Sequence, residues 1–187
     1  DAGSAALTPL DQSYVRTVGG GGPRHFTYHP HGGYVYANNE LGNSVNVYSY
    51  DADRGLLIER QVISSLPDDF EGASSTADVI VSPDGHHLYC SNRGHDSIAI
   101  YRIDDGGCLT LVDHQSSLGE IAQNLAITPD GTTLLCANML AGAGLGPQQE
   151  SHQGENVGAF RIDPDAGTLM PLASPMALAR PSCIVIV

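Results

Sequence analysis

Three segments of this chain repeat one another, and that repetition limits the fold more than any other feature. They are FTYHPHGGYVYANNE from Phe26, VIVSPDGHHLYCSNR from Val79 and LAITPDGTTLLCANM from Leu125. Each is an alternating apolar run, a proline, a glycine turn and a second apolar run that closes on asparagine. The prolines are Pro30, Pro83 and Pro129, spaced 53 and 46 residues apart, and nine residues beyond each stands Asn39, Asn92 or Asn138. A second pair of alternating runs follows each asparagine: SVNVYSYD and LLIERQVI, SIAIYRID and CLTLVDHQ, NVGAFRID and TLMPLAS. Period-two alternation bounded by Gly, Asp and Pro reads as strands joined by hairpins, and no segment keeps a helical apolar period.

Each unit is therefore four antiparallel strands, the signature of a β-propeller blade. A β-sandwich of regular hairpins is the alternative, but it does not require a fixed proline-to-asparagine register. The reading is an all-β fold with three complete blades at 24–72, 77–118 and 123–175. GSAAL near the start resembles the outer strand of a preceding blade. RPSCIVIV at the end matches the first strand of another, a closing strand at 182–187. Propellers typically carry four to eight blades, so the expectation is the C-terminal part of a larger ring, closed by blades from the N-terminal part of the protein.

Composition narrows the partners. The formal net charge is −13, from 21 acidic residues against eight arginines and no lysine. Such a balance argues against nucleic acid or an anionic membrane as partner, though a few arginines still make a local anion site. No run of 18 apolar residues and no secretory signal is visible, and Asp1 in place of Met fits a processed or incomplete chain. The cysteines at 90, 108, 136 and 183 lack C-x-x-C spacing. Cys90 and Cys136 sit in apolar runs and are expected to be buried and reduced, which points to a reducing, cytoplasmic compartment.

The repeat register also locates a candidate site. Ten residues after each proline are Glu40, Arg93 and Met139. Five and six residues before are His25 and Arg24, Asp78 and Ala77, Asn124 and Gln123. The start of an innermost strand and the end of its antiparallel neighbour share one rim. Arg24, His25, Glu40, Asp78, Arg93, Gln123 and Asn124 are thus expected around one mouth of the channel. The apolar scaffold repeats while these polar positions differ, as in a site grafted on a scaffold. Two arginines suit a carboxylate or phosphate, and Glu40 or His25 suits proton transfer. No metal or cofactor set is convincing: His29 and His31 flank a turn, and His86 and His87 are expected on a solvated hairpin. GGGG at 19–22 lacks the helix and lysine of a phosphate loop. The insertion at 141–155 is expected to cover the mouth or to be mobile.

The stretch GGGGPRHFTYHPHGGYVYANNELGNSVNVYSYD, followed by ADVIVSPDGHHLYCSNR and NVGAFRIDPDAGTL, resembles the lactonase propeller family over nearly the whole chain. That family includes the cycloisomerase-type 6-phosphogluconolactonases and the carboxy-cis,cis-muconate cyclases. The resemblance implies a seven-bladed ring and a metal-independent lactone hydrolase acting on a small anionic lactone or sugar. By that resemblance Arg24 and His25 of GPRH, Glu40 of NEL and Arg93 of the NR element would be its catalytic residues; Asp78, Gln123 and Asn124, placed at the same mouth by the repeat register, are expected to bind substrate. Gln123 and Asn124 stand where family members often carry a Pro-Arg pair, and Met139 where a polar residue is common. A muconate-type lactonising cycloisomerase and a non-catalytic interaction module are the alternatives.

Overall fold

The computed structural model describes residues 9–140 and 154–187. Four strands form the first blade: β1 (Pro23–Tyr28), β2 (Tyr34–Asn39), β3 (Ser44–Asp51) and β4 (Leu56–Ser64). The second holds β5 (Ser75–Val81), β6 (His87–Arg93), β7 (Ser97–Ile103) and β8 (Leu109–Ser116). The third holds β9 (Ala122–Ile127), β10 (Thr133–Asn138), β11 (Asn156–Ile162), β12 (Leu169–Pro171) and β13 (Met176–Ala177). Every pairing is antiparallel and follows chain order, except that β12 and β13 both pair with β11. The third blade's outer strand is thus broken in two and runs past residue 175. Pro171 and Pro175 flank the break and lack the N–H that a continuous ladder needs. No helix occurs among the described residues, so none is long and apolar enough to cross a membrane.

The Pro-x-Gly punctuation acts as read. Gly32, Gly85 and Gly131 adopt φ of 72–78° and donate back to His29, Ser82 and Thr128 at 2.8–2.9 Å. Left-handed backbone is cheap only for glycine, so these turns set the register of each inner hairpin.

The blades pack face to face. Tyr36, Val45 and Val47 of the first meet Val79, Leu88, Cys90 and Tyr101 of the second. Tyr89, Ile98 and Ile100 on the second blade's other face meet Leu125, Leu134, Cys136 and Phe160. Cys90 and Cys136 are fully buried and unbonded to other thiols, and burial pushes both thiols up in pKa. Tyrosine hydroxyls reach across: Tyr36 donates to Gly107 O at 3.0 Å and Tyr89 to Gly167 O at 2.9 Å. Two of the three repeat asparagines tie their blade to the one before. Asn92 Nδ2 donates to Ser65 O at 2.7 Å, and Asn138 Nδ2 to Ser117 O at 2.9 Å.

Two expectations need correction. Residues 182–187 form no strand. A strand exists only as part of a ladder, and no described strand pairs with this segment. Its tether is a side chain: Ile184 N–H donates to Asn124 Oδ1 at 2.7 Å. His87 is not solvated, for it opens β6 and is 2% exposed beside the turn at Gly167, whereas His86 is exposed as expected. The suggested outer strand at GSAAL and residues 141–153 of the insertion lie outside the described residues.

Candidate functional site

β1, β5 and β9 lie side by side as the first strands of their blades. Each is interrupted at the same place. The register against the neighbouring strand shifts between Pro23 and Phe26, between Thr76 and Val79, and at Asn138, which pairs with Ala122 while Ala137 pairs with Asn124. The extra residues fall at Arg24-His25, Ala77-Asp78 and Gln123. A bulge sets two residues against one and re-aims their side chains, so it builds the site out of a regular strand. It also frees an N–H from the ladder. Asn38 Oδ1 accepts the His25 N–H at 2.9 Å, and Ser91 Oγ accepts that of Asp78 at 3.0 Å. These two polar residues stand eight positions after Pro30 and Pro83. The register analysis passed over them, although a polar residue inside an apolar strand was the available signal.

All seven expected residues are drawn into two adjoining networks. The first centres on Glu40. Its Oε1 accepts from Arg24 Nη1 at 3.3 Å and from Arg93 Nη2. Arg93 also donates to Thr76 O at 3.3 Å and, through Nη1, to Gln123 Oε1 at 3.4 Å. Burial alone would push the Glu40 carboxyl up, but Arg93 and Arg24 together outweigh it and hold the group below its ordinary value. Both contacts fall on Oε1; Glu40 Oε2 has no hydrogen bond to the described residues.

The second network centres on Asp78. Its Oδ1 takes His25 Nδ1 at 2.8 Å and the Val79 N–H at 2.9 Å. Its Oδ2 takes Asn124 Nδ2 at 2.6 Å and the Leu125 N–H at 2.9 Å. The His25 side chain is 44% exposed, Asp78 only 11%. Met139 enters neither network; its N–H donates to Ile121 O. Among the described residues no cluster of three or more His, Cys, Asp or Glu is placed to hold a metal ion.

Residues 1–186 match the family model described as lactonase, 7-bladed beta-propeller. This chain belongs to that family. It is 32% identical over 166 residues to the 6-phosphogluconolactonase of Bacillus subtilis, covering 88% of this chain and 44% of the relative. It is 34% identical over 168 residues to that of Sodalis glossinidius, covering 89% and 46%. A periplasmic gluconolactonase of Pseudomonas aeruginosa superposes with a TM-score of 0.76 at 27% identity, over 94% of this chain and 47% of that one. A protein from Lactobacillus plantarum does so with 0.77 at 25%, over 88% and 44%. The chain therefore spans about half the length of the curated relatives it matches.

Proposed function

We propose that the chain forms three consecutive blades of a lactone hydrolase of the 6-phosphogluconolactonase kind, with its active site at the rim that carries Glu40. Lactonases among the relatives support the chemistry, and the observation that carries the site is the shared Glu40 carboxylate between two arginines. Arg24 and Arg93 would bind the substrate's anionic group and stabilise the oxyanion that forms when water adds to the lactone carbonyl. The water's oxygen bonds to the carbonyl carbon, its proton passes to a base, the ring C–O bond breaks, and the ring oxygen takes a proton to give the open hydroxy acid. Two guanidinium groups on one oxygen make Glu40 a poor base at neutral pH and leave that step to His25. The other blades of the ring would come from the rest of the protein.

In the full-length protein, Arg93→Ala is expected to lower kcat/KM on a phosphorylated or plain gluconolactone by about 30-fold to several thousand-fold, matching ~2–5 kcal/mol for one member of a paired charge. Wild-type rates in a folded Arg93→Ala protein would remove the site from the rim.

A further inference from the structure

We infer that Asp78 and Asn124 are positioning residues that lock His25 in one tautomer, with Nδ1 protonated and Nε2 presented as the proton acceptor. The inference rests on the lactonase reading only for what His25 acts upon.

The two Asp78 oxygens receive four donors: His25 Nδ1, the Val79 N–H, Asn124 Nδ2 and the Leu125 N–H, at 2.6–2.9 Å. A carboxylate offers about four lone-pair positions, so these saturate it. A protonated Asp78 would set one O–H against a donor, which holds the group as an acceptor only. It is therefore not available to bind substrate, the role its sequence position suggested. Because it only accepts, the ring nitrogen facing it must be N–H.

The lock extends one residue further. An Asn side chain has two faces, and Asn124 could in principle turn its oxygen toward Asp78. The Ile184 N–H prevents this by donating to Asn124 Oδ1 at 2.7 Å, which leaves Nδ2 for Asp78. The order of donation is Ile184 N–H, Asn124, Asp78 and His25. At its far end, His25 Nε2 has no hydrogen bond among the described residues. A ring with Nδ1–H fixed carries its lone pair on Nε2, as a base for a water molecule requires. β5 and β9 supply the carboxylate and amide; the bulge at 77–78 brings Asp78 to His25 of β1, and beside the bulge at 123 Asn124 reaches Asp78 of β5. The sequence gap between Asp78 and Asn124 hides this pairing from any local motif.

The test is heteronuclear NMR of 15N-histidine-labelled full-length protein, with steady-state kinetics on gluconolactone. In the wild type, His25 is expected in the Nδ1–H form, read from its nitrogen shifts. Asp78→Asn reverses the partner's polarity on one side and is expected to move His25 toward Nε2–H. It should lower kcat by ~10²–10⁴-fold, the usual reach of a positioned base, with KM changed less than about threefold. Asn124→Ala, which keeps three of the four donors, is expected to lower kcat by a smaller factor in the same direction. An Nε2–H ring in the wild type overturns the inference, whatever the variants do. So does unchanged kcat in a folded Asp78→Asn protein. Absence of lactone hydrolysis by the wild type sinks the functional proposal instead, while the ring's tautomer still decides this one.

Discussion

Glu40 links the first two blades through a single carboxyl oxygen. Its carboxyl oxygen neutralises Arg24 and Arg93 at once, and Arg93 is largely buried. Replacing it with glutamine leaves the size but strands two guanidinium groups. The pair lies between the exposed limit of up to ~1 kcal/mol and the buried limit of ~3–5 kcal/mol, so Glu40→Gln is expected to cost about 1–3 kcal/mol of stability at neutral pH. The pH dependence has a definite sign. The Glu40 carboxyl titrates below its ordinary 4.5 in the folded protein, because the two arginines outweigh burial. A depressed carboxyl contributes stability that is present above its unfolded pKa and is lost as the pH falls through the folded one. The gap between wild type and Glu40→Gln should therefore be full at pH 7 and begin to close below about pH 4.5, measured by denaturant unfolding across that range. A gap that widens on acidification would show that the carboxylate is not stabilised by its arginines.

Among the strands, the joints between blades carry the repeat's asparagines. Asn138 is fully buried and bonds both Ser117 O and Asn156 Oδ1, the latter at 2.8 Å. Asn138→Ala leaves a buried carbonyl without that donor and should cost about 1–3 kcal/mol, read as a lower denaturant midpoint with an unchanged slope. An unshifted midpoint would mean that the asparagine register is a relic of repetition and not a fastening. This register is also what made the fold legible. Proline, glycine and asparagine act through backbone rules that need no tertiary context, so the three blades and their inner hairpins could be read from Pro30, Pro83 and Pro129. The rim positions followed from the same count. The bulges did not, because an extra residue inside an alternating run looks like ordinary polar sequence at Arg24-His25 or Gln123. The saturation of Asp78 depends on donors from β1 and β9, distant in the chain. The strand expected at 182–187 failed for a related reason: Cys183-Ile184-Val185-Ile186-Val187 has strand composition, but pairing depends on a partner edge that composition does not reveal.

At the scale of the whole molecule, the described blades form two joints, first to second and second to third. The pairing of Tyr28 with Val35 and of Val35 with Tyr48 sets these residues on the face opposite to Tyr36 and Val47, which meet the second blade. On that face Val35 and Tyr48 are buried, whereas Phe26 and Tyr28 are 63% and 52% exposed. At the other end, Met176 is 61% exposed and Val185 77%. If further blades of the proposed ring pack on the two ends, these are the side chains they would cover. Solubility from charge does not hide such side chains from a small amphiphilic probe. The 187-residue chain on its own is therefore expected to bind 8-anilinonaphthalene sulfonate with strong fluorescence enhancement while keeping its strand signal in circular dichroism. The full-length protein should bind little. Adding the proposed further blades in trans should quench the dye in proportion to complex formed, because the same residues would be covered. Equal dye binding by the short and full-length chains, both folded, would show that Phe26, Tyr28, Met176 and Val185 stay in water and that no further blade packs on them.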